Sequence, residues 1–173
     1  RSTGYESIVL GSKFFGPGSS VVNISLDLDA DIGNATITLS GPSSVWFAVG
    51  FNASAMKDTP YSIEVSPSTN GTKANVVERR LGNHASGTQL NSQSLHIISD
   101  TIDGSTRSVV LTRPLVGDSK LHYTFDPTLS SINIIAAIGS SETFGYHGNK
   151  RGGSSLMLVE MGAPICLCES NNF

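Results

Sequence analysis

The chain has 173 residues, of which 38% are hydrophobic and 14% charged, and its formal net charge is −3. This length suits one domain of ordinary size, and the low charge excludes the composition of a disordered chain. The acidic balance argues against nucleic acid as a partner, since binding phosphates needs a basic stripe. The longest apolar run, INIIAAIG, is strand-sized, so we expect no membrane span in this fragment.

Alternating apolar and polar residues predict short strands along the whole chain. In NISLDLDAD, Ile24, Leu26 and Leu28 would share one strand face and Ser25 and Asp27 the other. Clusters of Gly, Pro, Asn, Asp and Ser separate the candidates, which in chain order are ESIVLG, NISLDLDAD, NATITLS, VWFAVGF, YSIEVS, ANVVERRL, SLHIISDTI, RSVVLTRPL, INIIAAIG and SLMLVEM. Because no apolar stripe of helical period persists, we expect about ten strands and little or no helix.

Strands without intervening helices predict an all-β fold, because their apolar faces must pack against one another in a two-sheet sandwich or a closed barrel. We favour the sandwich. The strands VWFAVGF and INIIAAIG are apolar at nearly every position, as is typical of central strands covered on both faces, here by a ligand or a crossing loop. We predict one domain over residues 1–173, with a core of about 20–161 and a tail of 162–173.

The ends of the chain and its sequons bear on where the protein works. The chain begins at RSTGYES without a signal peptide or an initiator Met, so we expect a processed or excised piece of something larger. Four N-x-S/T sequons favour secretion and a glycoprotein only weakly, because the chain is rich in these residue types. They lie at Asn23, Asn34, Asn52 and Asn70.

Recognisable catalytic motifs are absent from the sequence. No serine-hydrolase, zinc-protease, P-loop or dinucleotide fingerprint occurs, and carboxylates are scattered singly, so we expect no enzyme activity. Cys166 and Cys168 would point to opposite faces of a strand, which disfavours a mutual disulfide. They suit a loose tail or a bridge to a missing segment better than a metal site.

Two residues stand out from their surroundings. Met56 lies in the polar stretch GFNASAMKDTPYS, where there is no core for a methionine to fill. His147 lies in FGYHGNKRGG, whose glycines would let the backbone approach a large planar ligand, while Lys150 and Arg151 could meet anionic groups at its edge. Taken alone, His147 is more often an ordinary surface histidine in a hairpin.

Together these stretches resemble the DOMON family. VWFAVGFNASAMKDTPYSIEV is similar to the family's axial-methionine stretch, and FGYHGNKRGGSSLML is similar to its axial-histidine stretch. VVERRL, DGSTRSVVLTRPL and INIIAAIGSS lie between them in the family's usual order, so the resemblance spans about residues 20–160. The family includes the cytochrome domain of fungal cellobiose dehydrogenase and the apoplastic b-type cytochrome modules of plants.

The resemblance implies an immunoglobulin-like β-sandwich in which loops at one end hold a haem ligated by Met56 and His147. The motif C-x-x-C-H is absent, which leaves non-covalent haem b. Two strong axial ligands leave no position for O₂, so the site is expected to pass single electrons. The expected partner is a redox protein or domain: a flavin dehydrogenase, a transmembrane cytochrome or another extracellular oxidoreductase. The expected location is extracellular or at the outer face of the plasma membrane.

Further haem contacts are expected beside the two motifs. Lys150 and Arg151 are the first candidates to pair with haem propionates, although a solvated turn explains them equally well. The other cations and phenols near these segments are Arg79, Arg80, Arg113 and Tyr146. Candidates for the pocket walls are Phe51, Tyr61, Ile63, Phe144 and Tyr146. Trp46, the sole tryptophan, is expected between the sheets.

Other methionines and histidines have ordinary explanations. Met157 and Met161 rival Met56 as a sulfur ligand, but their alternation with leucines is typical of strand methionines that face the core. His84, His96 and His122 have no context comparable to that of His147, and the last two are predicted to lie on strands.

A haem-free binding module is the alternative function. Relatives of this sandwich bind sugars, which would require exposed aromatic platforms, yet only 7% of the residues are aromatic. A plain adhesion domain would be consistent with the sequons, but it does not explain the YHGNKRGG stretch.

Overall fold

The computed structural model describes residues 4–8, 12–13, 21–68 and 73–160. Within these ranges the chain forms thirteen strands, one 3-10 helix at Met56–Asp58 and no α-helix, which confirms the predicted all-β class. The strands are β1 Gly4–Ile8, β2 Ser12–Lys13, β3 Val21–Asp29, β4 Asn34–Pro42, β5 Phe47–Phe51, β6 Tyr61–Pro67, β7 Ala74–Gly82, β8 Ala85–Gln89, β9 His96–Asp103, β10 Thr106–Pro114, β11 Ser131–Ile138, β12 Arg151–Met157 and β13 Val159–Glu160.

The described strands form two antiparallel sheets, which pack as an immunoglobulin-like β-sandwich. One sheet has seven strands in the order β13-β1-β3-β4-β10-β9, with β2 paired to β3. The other sheet has six strands in the order β12-β11-β5-β6-β7-β8. β11 and β5 are therefore neighbours inside the six-stranded sheet, away from its edges, as their apolar sequences predicted.

The core lies between the sheets and follows from strand alternation. On β3, Ile24, Leu26 and Leu28 are at most 3% exposed, whereas Asp27 on the opposite face is exposed. On β4, Ile37 and Leu39 are fully buried opposite them. This inward face is the one that the sequence pattern predicted.

The six-stranded sheet is covered on both faces. All five residues of β5 are buried, although only Phe47, Val49 and Phe51 belong to the core between the sheets. Ala48 and Gly50 alternate with them and therefore face outward, away from the seven-stranded sheet. The loops that follow β5 and β11 cover this outward face.

Several features differ from the predictions or lie outside them. β8, with the sequence ASGTQ, has no apolar alternation to reveal it, and all its residues are exposed. His96 lies on β9 as predicted, but His122 does not lie on a strand: it is buried in the loop between β10 and β11. None of the described helices is long and apolar enough to cross a membrane. Asn70, Met161, Cys166, Cys168 and the predicted tail lie outside the described residues.

Candidate functional site

A pocket of about 740 Å³ lies on the outward face of the six-stranded sheet. This volume falls within the range of small-molecule and cofactor sites. Its floor is formed by the two inner strands, through Ala48 and Gly50 of β5 and Ile135 and Ala137 of β11. The floor is apolar because the outward residues of both strands carry hydrocarbon side chains or none.

Loops form the walls of this pocket. Residues 52–60, between β5 and β6, contribute Met56, and residues 139–150, between β11 and β12, contribute His147. The β7–β8 hairpin closes a third side through residues 84–86. The first loop continues from the Phe51 end of β5, and the second is tied to the opposite end. The Met56 and His147 side chains thus approach the floor from opposite ends of β5.

The loop that carries Met56 is fixed by its own hydrogen bonds. Backbone N–H groups of Ser54 and Ala55 donate to Oδ2 of Asp58, at 2.9 and 3.1 Å, and these bonds hold the pKa of Asp58 below its usual value. The N–H of Thr59 donates to the Met56 carbonyl at 2.9 Å. Thr59 adopts a left-handed conformation with φ 48°, which is rare for a β-branched residue. The loop therefore holds Met56 at the pocket in a defined turn.

The hydrogen bond of His147 defines its tautomer. Nδ1 lies 2.9 Å from the carbonyl oxygen of Gly148, which can only accept, so Nδ1 carries the proton. The lone pair is then on Nε2, and a histidine that ligates a metal usually donates its other ring N–H in this way. The turn itself is closed by the N–H of Lys150, which donates to the His147 carbonyl, and Gly148 supplies the positive φ of 59°.

Aromatic rings hold His147 from two sides. Tyr146 stacks on its imidazole with centroids 5.7 Å apart, and Trp46 meets it edge-on at 6.5 Å. Phe144 packs on Trp46 at 4.6 Å, and the Arg79 guanidinium lies 4.5 Å from the centre of the Phe144 ring. These contacts connect the histidine loop to β7 of the sheet beneath it.

Trp46 anchors the histidine loop and corrects one prediction. Its backbone accepts from the N–H of Gly139 at 2.8 Å and donates to the Ser141 carbonyl at 3.1 Å. The ring is 2% exposed but lines the pocket, whereas the sequence placed it between the sheets. The reason is strand parity, since Phe47 points into the core and its neighbour must point outward. Nε1 of Trp46 is buried and has no hydrogen-bond partner among the described residues.

The structure brings together five of the eight residues predicted for the haem site. The residues that line the pocket are Met56, Phe144, Tyr146, His147 and Arg151. Lys150 does not line it, and neither do Phe51 and Tyr61, which are 1% exposed within the core. Phe51 follows the inward parity of β5, and it packs on Tyr123 and Phe125. Closeness in sequence to Met56 was therefore a poor guide to pocket contact.

Other predicted contacts lie in the interior instead. Arg113 is 1% exposed between the sheets, where its guanidinium lies over the Tyr61 ring at 5.2 Å. Nη1 of Arg113 lies 3.9 Å from Oε1 of Glu78, and Tyr61 donates to that carboxylate at 2.6 Å. Ile63 is likewise a core residue. These side chains stabilise the sandwich and are out of reach of the pocket.

Met157 is excluded as a sulfur ligand at this pocket. It is 59% exposed and does not line the pocket. The prediction that it faces the core is wrong, because Leu156 and Leu158 occupy the inward face of this segment and are buried. The remaining rival, Met161, lies outside the described residues.

His84 lines the pocket although the sequence gave no reason to select it. It occupies the β7–β8 turn, between the paired residues Gly82 and Ala85. The signal that could have found it is a histidine at a turn position that favours glycine. No cluster of three or more His, Cys, Asp or Glu that could hold a metal ion occurs in the described ranges.

The residues of the pocket fit a haem. A thioether and an imidazole with a free Nε2 are a known axial pair for haem iron, and one cation, Arg151, stands on the wall. The floor is apolar, as a porphyrin face requires. The side chains that would hold the group are thus Met56 and His147 on the iron and Phe144, Tyr146 and Trp46 beside it.

Solved structures of the same fold include two cytochrome domains. The cytochrome domain of cellobiose dehydrogenase from Myriococcum thermophilum superposes with a TM-score of 0.68 at 10% identity, over 86% of this chain and 80% of that chain. The cytochrome b domain of pyranose dehydrogenase from Coprinopsis cinerea gives 0.58 at 13% identity, over 83% and 77%. No family model and no curated protein matches the chain. The resemblance inferred from the sequence is therefore confirmed at the level of the fold.

Proposed function

We propose that this domain binds haem b non-covalently between Met56 and His147 and transfers single electrons. The observation that carries the proposal is that these two side chains, distant in the sequence, line one apolar-floored pocket from separate loops. The free Nε2 of His147 supports its assignment as the imidazole ligand. The two solved structures of this fold are cytochrome domains of dehydrogenases, which supports the same kind of cofactor here.

Bound haem would supply an iron centre that changes by one electron, and thioether ligation would favour its Fe(II) form. Residues of the chain would ligate the iron, exclude water from the porphyrin and pair with a propionate. Met56 and His147 would both ligate the iron and would thereby keep O₂ from binding it. Ala48, Gly50 and Ile135 would exclude water from the porphyrin face, and Arg151 would pair with a propionate. Because the floor is a hydrogen-bonded sheet, little would move when the charge changes.

The proposed partner is another redox protein or domain, such as a flavin dehydrogenase, a transmembrane cytochrome or another extracellular oxidoreductase. The proposed location is outside the cell or at the outer face of the plasma membrane, where a secreted glycoprotein would work. In support, Asn23 and Asn52, two of the four sequon residues, are exposed on the folded domain.

The haem-free sugar-binding alternative gains little from the structure. Such a module needs several exposed aromatic rings on one surface. Within residues 22–68 and 73–159, Tyr146 is the one exposed aromatic side chain, at 83%. A single ring stacked on His147 is a poor sugar platform.

Titration of the purified apoprotein with hemin tests the proposal. We expect saturation at one haem per chain and, after reduction, the sharp split α and β bands of a six-coordinate low-spin haem. His147→Ala should lose these bands, whereas the matched control His96→Ala, on the exposed strand β9, should keep them. The proposal fails if the wild type stays colourless after desalting, or if His147→Ala binds haem with an unchanged spectrum.

A further inference from the structure

His84 is a second imidazole at the same pocket. It is the last residue of the two-residue Asn83–His84 turn, and it lines the pocket together with Met56 and His147. Nothing in the proposed function uses it. Its side chain is exposed, so burial in a core does not explain its position.

The ring of His84 has the same hydrogen-bond pattern as that of His147. Nδ1 lies 2.6 Å from Oδ1 of Asn83, an amide oxygen that can only accept, so Nδ1 carries the proton. Nε2 keeps its lone pair and has no hydrogen-bond partner among the described residues. A histidine held through Nδ1–H by a neighbouring carbonyl group has the tautomer of a metal ligand.

The backbone of His84 is strained, because this turn needs a positive φ at its second position. Its φ of 54° is left-handed, a conformation that is unfavourable for a residue with a Cβ. Glycine or asparagine is preferred at the second position of such a turn. Strain of this kind often accompanies functional sites, and it directs attention to the imidazole itself.

Strand pairing puts His84 at the Met56 end of the pocket. β6 begins at Tyr61, directly after the Met56 loop, and pairs there with Arg80 near the end of β7. The N–H of Leu81 donates to the Pro60 carbonyl at 2.9 Å, which ties the β7–β8 turn to the same loop. His147, by contrast, comes from the loop anchored at Trp46, at the other end of β5.

We propose that His84 is a reserve axial ligand, whose Nε2 takes the place of the Met56 sulfur on haem iron when the thioether is lost. This inference rests on the proposed function. It follows from three features: the free Nε2, the strained turn, and a position at the Met56 end of the pocket. Because imidazole stabilises Fe(III) relative to a thioether, the exchange lowers the midpoint potential while the iron stays six-coordinate.

The test uses hemin-loaded chains of residues 1–173: wild type, Met56→Ala and Met56→Ala/His84→Gly. Glycine removes the imidazole and suits the positive φ, so the turn is expected to fold. Met56→Ala/His96→Ala is the matched control, since it removes a histidine remote from the pocket. Absorption and electron paramagnetic resonance report the spin state, redox titration gives the midpoint potential, and circular dichroism checks the fold.

We expect Met56→Ala to remain low-spin with a potential below that of the wild type, and the His96 control to behave identically. Met56→Ala/His84→Gly should become high-spin. A high-spin Met56→Ala protein would overturn the inference, and so would a low-spin spectrum that persists without His84. Both results leave the proposed function standing, because the wild type would still bind haem. A wild type that binds no haem would overturn the two together.

Discussion

Histidines on the two faces of the six-stranded sheet differ in the hydrogen bonds of their ring nitrogens. On the inward side, His122 is 7% exposed, and both ring nitrogens have partners: Nδ1 is 2.9 Å from Oγ of Ser119 and Nε2 is 3.1 Å from the Ser92 carbonyl. On the outward side, His147 uses only Nδ1, and no described residue meets its Nε2. The protein thus engages both nitrogens of the buried imidazole, whereas the Nε2 lone pair of His147, at the pocket, is available to a ligand.

The inward cluster extends this contrast. The Glu78 carboxylate is fully buried and accepts from Tyr61 at 2.6 Å and from the Ser94 hydroxyl at 2.8 Å, with Arg113 and His122 within 4 Å. Each of these groups is engaged by another part of the protein. The inward cluster therefore stabilises the fold, whereas the outward pocket is the proposed ligand site, and substitutions should separate the two effects.

The largest expected effect is on stability, at the inward cluster. Arg113→Met leaves the buried Glu78 carboxylate without its nearby cation, which should lower the free energy of unfolding by about 3–5 kcal/mol. Urea unfolding measures this. Arg80→Met, at a partly exposed site, should change it by less than about 0.5 kcal/mol. Equal losses in the two variants would contradict the assigned role of Arg113.

A methyl group at position 139 should damage the pocket. In Gly139→Ala the new Cβ would overlap Nε1 of Trp46, so the ring must shift at a cost of about 1–3 kcal/mol. Because Trp46 contacts His147, haem affinity should fall as well. Gly145→Ala, where the Cβ would have open space in the same loop, is the stability control. If Gly139→Ala had the unfolding free energy and the haem affinity of the wild type, the proposed role of Trp46 in the pocket wall would be refuted.

Alkaline pH should weaken the inward cluster through Tyr61. Burial raises the pKa of Tyr61 above its ordinary value of 10.0, so below pH 10 both folded and unfolded states keep the proton. Above pH 10 the unfolded state releases it and the folded state does not, which lowers the free energy of unfolding by up to about 1.4 kcal/mol per pH unit. Urea unfolding on both sides of pH 10 measures the slope. Tyr61→Phe should remove this contribution, and a slope unchanged by the substitution would contradict it.

The smallest effect on haem binding is expected at the outer support of the pocket. Arg79 lies over Phe144, so Arg79→Met should speed haem release. It also leaves the buried Glu64 carboxylate without the cation that pairs with it at 2.6 Å, so the free energy of unfolding should fall as well. Arg79→Lys keeps the charge without the planar guanidinium and should have an intermediate effect. Stopped-flow transfer of haem to apomyoglobin measures the release rate. If release were as slow in Arg79→Met as in the wild type, Phe144 would not depend on Arg79.

Local pattern was enough to predict the floor of the pocket. β5 and β11 are apolar on both faces, and the second face indeed forms a ligand-sized floor. Strand parity, read strictly, would also have placed Phe51 inward and Trp46 outward. Phe51 was assigned to the pocket because it is near Met56 in the sequence, and Trp46 was assigned to the core because of its residue type. The alternation of β5 decides the direction of both side chains.

Pairing between distant strands could not be read from the sequence, and it decides the rest of the site. His84 reaches the pocket only because β7 pairs with β6 beside the Met56 loop. Arg113 is not available as a propionate partner because β10 belongs to the other sheet. Neither strand arrangement has a local signal in the sequence. Local alternation fixes the direction of a side chain, but register between strands fixes its neighbours.

A crystal structure of the hemin-loaded protein would show whether Met56 and His147 hold the iron. We expect one haem on the outward face of the six-stranded sheet, with the Met56 sulfur and Nε2 of His147 both bound to its iron. Iron ligated by neither residue, or haem bound elsewhere while this pocket stays empty, would contradict it.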